Sequence, residues 1–535
     1  MKTVDVLAQR LALAGCRYAF GMPGGEVLTL LEALRAAGIG FHMAKHENAA
    51  GFMAEGTSHR TGAPGILLAT IGPGAANCIN VAANALQDRV PLVILTGCLE
   101  DSETLTYTHQ IMDHQAVFRP VVKASFKLTA KNVNVLADKA LRIALDGRPG
   151  PVHIDVPMAV AEQASEERAE IRNSGPRPVG PLPGPDLEAA RGWLAEAERP
   201  VMIAGVDVLN QGAAQQVAAV AQRFNIPLIT SYKAKGVLPE DHPLALGGAG
   251  LSPLADGQLL PLISEADVVL LVGYDPIEMR SGWRDPWDLQ RQKVIDLVAA
   301  PNHHDMHRAS LEFVGDCGLG LQTLCDGLTP RATWPDGRPA AVRAALRQDF
   351  GQGEEWGPTA VIEEVRAALP RDALATVDSG AHRILLSQIY DCYEEKGLNQ
   401  STGLCTMGCA LPLAIGQKLA DPGRPVVALT GDAGLLMVLG ELSTLAELKL
   451  PVVVVVFLDA NLALIDLKQR RMQLPNVGVH LDGVDFSGIA RSFGGLGLEA
   501  GTRAELKEAM EAALKAERFS IITCHIERQT YEGRL

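Results

Sequence analysis

Val426-Val427-Ala428-Leu429-Thr430-Gly431-Asp432-Ala433-Gly434 begins, and Pro451-Val452-Val453-Val454-Val455-Val456-Phe457-Leu458-Asp459-Ala460-Asn461 ends, the stretch that decides the fold of this 535-residue chain. Between them runs a helix-like stretch to Leu450. Two short apolar runs joined by a helical pattern make a strand–helix–strand unit. Apolarity that is continuous rather than alternating places both strands in a parallel sheet covered on its two faces. Parallel strands end at one edge of the sheet, so Asp432 and Asp459 fall together there. The glycine-containing turn at 431–434 can offer backbone N–H groups to a diphosphate, and the two carboxylates can hold a divalent cation against it. These residues point to a magnesium diphosphate. Taken alone, they also suit an ordinary unit whose aspartates cap helices.

The same apolar rhythm recurs at Ile66–Ile71, Leu92–Thr96, Val201–Gly205 and Val268–Gly273. Two stretches interrupt it. Gln163 to Asp186 is rich in charge and then in proline and glycine, and Leu328 to Pro339 repeats that composition more briefly. Both read as linkers. The expected architecture is α/β, with three doubly wound parallel-sheet domains at 1–165, 188–328 and 355–535.

Composition narrows the function classes. A hydrophobic content of 47% with 21% charged residues suits a globular protein with large cores. The formal net charge of −14 argues against nucleic acid or an anionic membrane as partner. Nine scattered cysteines without metal-type pairs suggest reduced thiols and a cytoplasmic protein. Leu13-Ala14-Gly15-Cys16 resembles a lipoprotein cleavage site, but Asp5, Gln9 and Arg10 interrupt the apolar core it would need. No apolar run reaches the ~18 residues of a membrane helix.

In the N-terminal block, three signals stand at strand ends, where α/β sites form. They are the turn at Pro23-Gly24, the charged junction Lys45-His46-Glu47, and the turn Gly72-Pro73-Gly74 leading to Asn77. Read from the residues alone, Glu47 either caps a helix or serves chemistry.

Gly431-Asp432-Ala433-Gly434 followed by Asp459-Ala460-Asn461 resembles the thiamine-diphosphate-binding motif. Ala433 departs from its usual glycine and Asp459 from its usual asparagine. The resemblance implies a magnesium ion held by the side chains of Asp432 and Asp459 and the carbonyl of Asn461, with the diphosphate on Gly431, Asp432, Ala433 and Gly434. It places Pro23, Gly24, Gly72 and Asn77 about the cofactor and Glu47 against N1′ of the aminopyrimidine, where it promotes deprotonation of the thiazolium carbon. Asn399 to Ile415 resembles the stretch in which a large side chain, here Met407, wedges the cofactor into a bent shape while the carbonyl before it, here that of Cys405, accepts the 4′-amino hydrogen. Asp378-Ser379-Gly380-Ala381-His382 resembles a second diphosphate contact through Ala381 and His382. Thr108-His109-Gln110, Met112-Asp113 and Phe118-Arg119-Pro120 resemble catabolic, flavin-independent acetolactate synthases. In that family, a glutamine at Gln110 reaches a pyruvate oxygen. Lys123, at the end of this run, reads as a solvated surface lysine.

The middle block holds no Gly-x-Gly-x-x-Gly turn. Gly273-Tyr274-Asp275-Pro276-Ile277-Glu278 and Phe313-Val314-Gly315-Asp316 again resemble the catabolic enzymes, so FAD is not expected. His303, His304 and His307 read as a solvated loop rather than a metal site. After Asp459 the chain leaves the family pattern, with Leu462-Ala463-Leu464-Ile465 where the substrate pocket lies. The Tyr274–Trp287 region diverges as well, and it is expected to border the same cavity. The resemblance therefore implies decarboxylation of a 2-oxo acid on thiamine diphosphate and Mg2+, with two pyruvates condensing to acetolactate. A related decarboxylase or carboligase with another 2-oxo acid or an aldehyde acceptor is the alternative, and a non-catalytic cofactor-binding relative is a further one. It also implies a homodimer or homotetramer with active sites between subunits.

Overall fold

The computed structural model describes residues 1–172, 177–351 and 353–535. Part of the first linker, 173–176, lies outside the described residues. Three six-stranded sheets carry the chain. The first contains β1 (Tyr18–Met22), β2 (Gly40–Met43), β3 (Gly65–Ala69), β4 (Leu92–Cys98), β5 (Ala124–Lys127) and β6 (Pro151–Pro157), in the order β2-β1-β3-β4-β6-β5. The second contains β7 (Pro200–Ala204), β8 (Leu228–Ser231), β9 (Ala245–Ala249), β10 (Val268–Val272), β11 (Lys293–Val298) and β12 (Leu311–Val314), in the order β12-β11-β10-β7-β8-β9. The third contains β13 (Leu374–Val377), β14 (Leu398–Gln400), β15 (Val426–Gly431), β16 (Val453–Leu458), β17 (Leu496–Ala500) and β18 (Ser520–His525), in the order β14-β13-β15-β16-β18-β17.

Every pairing within these sheets is parallel. The first and third sheets share one topology. The second has the strand order of dinucleotide-binding domains, with its switch point between β7 and β10.

β16 shows why the apolar run is unbroken. Val453, Val455 and Phe457 enter one core, and Val454 and Val456 enter another on the opposite face. Burial of each such side chain contributes about 1.5–3 kcal/mol. The cores do not stop at domain limits. The core that receives Val454 also holds Phe20, Phe52 and Ile94 of the first sheet's layers, and the core that receives Val453 holds Val269 and Tyr274 of the second.

The helices Glu47–Thr61 and Ala410–Ala420 join the first and third layers at very short range. A Cβ on Gly416 would lie 2.0 Å from the Met53 carbonyl oxygen, and one on Gly56 would lie 2.4 Å from that of Leu413. Backbone blocks both positions, so only glycine fits. Gly416→Ala is expected to destabilise the protein by about 1–3 kcal/mol through overpacking. The control Gly423→Ala, which would meet nothing within 4 Å, should be near neutral. Paired thermal melts test this, and equal melting temperatures would refute it.

Several sequence expectations change. The second linker is no free connector, because Trp334 is buried and its Nε1–H donates to the Pro200 carbonyl at 2.8 Å. Lys123 is not solvated but half-buried, donating to the carbonyls of Asp146 and Arg148 at 2.7 and 2.9 Å. Of the three clustered histidines, only His303 is exposed. His307 is buried 3.1 Å from Asp296 and packs against Tyr274 and Trp287. All nine cysteines are free, and only Cys405 is more than slightly exposed. Among the described residues, no helix is long and apolar enough to cross a membrane.

Candidate active site

The third sheet's carboxyl edge holds a cavity of about 230 Å³. Ser379–His382 enter it after β13, Gly431–Gly434 after β15 and Asp459–Ile465 after β16, with Cys405 and Met407 on another wall. The sheet thus gathers Ala381, His382, Cys405, Met407, Gly431, Asp432, Ala433, Gly434, Asp459 and Asn461 about one space. Parallel strands make this possible, since loops far apart in sequence leave at one edge.

Asp432 sits in the turn that ends β15. Its Oδ1 accepts from the Ala433 N–H at 2.7 Å, and its Oδ2 accepts from Ala460 N–H at 2.9 Å. Asp459 Oδ1 accepts from Asn461 N–H at 3.1 Å. Both carboxylates are nearly buried. Burial, and then the charge of Asp432, pushes the Asp459 carboxyl up to about 7, and burial raises Asp432 as well. The Arg528 guanidinium donates to the Asp459 backbone carbonyl at 3.3 Å rather than to its carboxylate. Asn461 Oδ1 and His382 Nε2 are buried without a partner among the described residues. Such atoms cost about 1–3 kcal/mol each until something satisfies them. Two carboxylates form a hard-oxygen donor set, which suits a magnesium ion, and Asn461 adds an unpartnered side-chain oxygen beside them where the resemblance implied its backbone carbonyl. The neighbouring N–H groups suit the ion's anionic ligand.

His382 stacks on Phe457 with centroids 5.1 Å apart. Burial, helped by Arg383, pushes its pKa down to about 3, so the ring is neutral. Asp378 braces the edge, accepting from Ala410 N–H and Thr430 Oγ1, both at 2.7 Å. A Cβ on Gly434 would lie 2.2 Å from Asp378 Oδ2, which explains that glycine. Met407 is only half-buried and faces the cavity instead of filling a core. Cys405 has φ of +52°, and its Sγ lies 3.1 Å from Glu278 Oε1.

The N-terminal residues form a separate group. Glu47 opens its helix, 8% exposed, and its Oε2 accepts from Asn77 Nδ2 at 2.9 Å. Asn77 therefore holds Glu47 directly, a link its position in the chain does not reveal. Pro23 and Gly24 follow β1, half-buried, and a Cβ on Gly24 would lie 2.3 Å from Thr70 Oγ1. Gln110 is exposed, with φ of +57°, and borders a different cavity of about 320 Å³ with Glu26, Ile71 and His109. Within one chain, none of these residues lines the cavity of Asp432 and Asp459.

Sequence reasoning gave no site role to Arg383, Phe457 or Tyr531, and it read Glu278 only as the end of the Gly273–Glu278 run. The Tyr274–Trp287 region, expected to border the cavity, does not line it. Arg383 and Glu278 form a buried ion pair beside Cys405 that ties the second sheet's layer to the third. Tyr531 arrives from the C-terminal tail, 3% exposed, to complete the cavity wall. Phe457 lies in the strand read from the sequence, whereas Arg383, Glu278 and Tyr531 take their places only through packing.

Three domain families match the chain. Residues 1–117 match the thiamine pyrophosphate enzyme N-terminal TPP binding domain, 187–324 the central domain, and 378–524 the C-terminal TPP binding domain. The chain is similar to the acetolactate synthase of Bacillus subtilis, at 29% identity over 98% of this chain and 92% of the relative. It is similar to the acetolactate synthase isozyme 3 large subunit of Escherichia coli, at 29% over 96% of this chain and 92% of that one. A Pseudomonas aeruginosa protein named "Probable 2-ketoarginine decarboxylase" is 31% identical over 92% of this chain and 88% of its own length.

Proposed function

Because this chain belongs to the thiamine-diphosphate-dependent family of 2-oxo acid decarboxylases and carboligases, we propose that it decarboxylates pyruvate and joins the product to a second pyruvate, giving acetolactate and carbon dioxide. The observation that carries the cofactor half of this reading is the cavity of Asp432 and Asp459, with its carboxylates and its unpaired Asn461 and His382 atoms. Asp432, Asp459 and Asn461 would hold Mg2+. The turn at 431–434 with Ala381 and His382 would hold the diphosphate, and Met407 and the Cys405 carbonyl would support the aminopyrimidine. Bound thiamine diphosphate supplies the nucleophilic carbon and the electron sink for loss of carbon dioxide.

The chain's own groups orient the substrate and move protons. Asn77 occupies Glu47 Oε2. Oε1, the oxygen that Asn77 leaves free, faces Gly74, where a Cβ would lie 3.3 Å away, and it would be the one to exchange a proton. Gln110 presents an amide to a substrate oxygen. Since Glu47, Gln110, Pro23, Gly24 and Gly72 stand apart from the cavity within one chain, they are taken to complete the site of a second copy. Exposed Leu105 and Ile111 near Gln110, and Met437, Met472 and Val477 in the third layer, supply apolar surface for that contact. Arg148 crosses the switch point of the second sheet, 3.4 Å from Asp207 and 3.5 Å from Asp275. An arginine bridging two aspartates at that crevice supports a reaction without flavin.

The departing residues after Asp459 favour a second reading, a decarboxylase for another 2-oxo acid. The cavity's far wall is the aliphatic Leu462–Ile465. A panel of 2-oxo acids, including pyruvate and 5-guanidino-2-oxopentanoate, incubated with Mg2+ and with or without thiamine diphosphate, separates the two. Cofactor-dependent acetolactate from pyruvate alone is the expected product. Carbon dioxide from another acid with no consumption of pyruvate would overturn the first reading in favour of the second.

A further inference from the structure

Behind the Gly72 turn, His114, His153 and Asp155 form a buried cluster whose ligating atoms lie within 4.8 Å of one another. Proximity alone would suggest a metal centre, but hydrogen bonds account for every ring nitrogen. The Gly72 N–H donates to His114 Nε2 at 3.1 Å, so Nδ1 carries the ring proton and donates to Asp155 Oδ1 at 2.8 Å. Thr96 Oγ1 gives its only proton to Asp155 at 2.6 Å and therefore accepts from His153 Nε2 at 2.7 Å. Ser125 Oγ, 2.8 Å from His153 Nδ1, donates in turn. His153 is locked by stacking on Phe118, with centroids 4.1 Å apart. The cluster is a relay of hydrogen bonds ending on one backbone amide.

That amide sits at a decisive place. Gly72 has φ of +66° and starts the short helix Pro73–Asn77, whose last residue holds Glu47 at 2.9 Å. The other face of Gly72 packs on the loop of Gln110, where a Cβ would lie 2.6 Å from the Gln110 carbonyl oxygen. His114 itself follows that loop as the first residue of the helix His114–Phe118. One buried imidazole thus pins the end of the Gln110 loop and the turn that places Asn77. We propose that His114 is a positioning residue, holding the Gly72 amide so that Asn77 with Glu47 and the Gln110 loop keep one fixed arrangement.

The proposal rests on the assignment of Glu47 and Gln110 to the reaction, and its test separates the two. His114→Leu removes the acceptor, whereas His114→Gln keeps an acceptor oxygen for Gly72 and a donor for Asp155. In the full-length protein, the leucine variant should lose protection from hydrogen exchange in segment 70–78. It should also lose at least about tenfold in kcat, on the scale expected for a small misplacement of a reacting group, with thiamine diphosphate affinity retained. The glutamine variant should recover most of both. Wild-type exchange and kcat in the leucine variant, or equal losses in both variants, would overturn the relay. Full activity in Glu47→Gln would instead remove the assignment of Glu47, while the exchange result would still decide whether His114 holds the Gly72 turn.

Discussion

Glu47→Gln is expected to lower turnover by about 10²–10⁴-fold, the range that a positioned acid–base group contributes, while magnesium and thiamine diphosphate still bind. The amide is nearly isosteric and can keep its carbonyl oxygen toward Asn77 Nδ2, which now stands 2.9 Å from Glu47 Oε2. What it cannot do is take up and return a proton. Because Glu47 is nearly buried at the first turn of a fifteen-residue helix, the substitution leaves packing unchanged. The measurement pairs steady-state carbon dioxide release with calorimetric cofactor binding. Wild-type turnover would remove Glu47 from the chemistry, and loss of cofactor binding together with turnover would make it a binding group instead.

The second large effect concerns the metal edge. Asp432→Ala is expected to abolish the stabilisation that magnesium and thiamine diphosphate together confer on the wild type. A ligand at a hundred times its Kd stabilises by about 2.7 kcal/mol, so the wild-type melting temperature should rise with cofactor and the variant's should not. The sign follows from electrostatics. Without a cation, Asp459 is held up to about 7 by burial and by the charge of Asp432, so removing Asp432 relieves repulsion in the cofactor-free protein. Removal also frees the Ala433 and Ala460 N–H groups that Asp432 holds at 2.7 and 2.9 Å, which offsets that relief, so the diagnostic defect is the lost response to cofactor. Adding EDTA to the loaded wild type should reproduce that loss. An undiminished shift in Asp432→Ala would remove this carboxylate from the cation site.

How far these sites were readable before folding differs from residue to residue. The unbroken run Val452–Leu458 marks a parallel strand buried on both faces, and β16 sends alternate residues into two separate cores. The turns at 378–382 and 431–434 carry their own local chemistry, so their meeting at one edge follows from parallel pairing. Arg383, Glu278 and Tyr531 carry no such signature. An arginine, a glutamate or a tyrosine read by itself suggests surface, and only the packing of the layers buries these three. His307 failed for a related reason, since Asp296 and the rings of Tyr274 and Trp287 that enclose it lie on other elements and meet it only on folding.

Sequence alone determined the three parallel α/β layers, the family, and the carboxylates and turns of the third edge. These depend on periodicity and on short motifs, which are local properties. Tertiary structure decided which of those residues share a cavity within one chain and which stand apart from it. It alone linked Glu47 to Asn77, Gly72 to His114, and Arg383 to Glu278. Such partners meet by the crossing of helices and the convergence of strand ends, and the distance along the chain between them carries no trace of the contact.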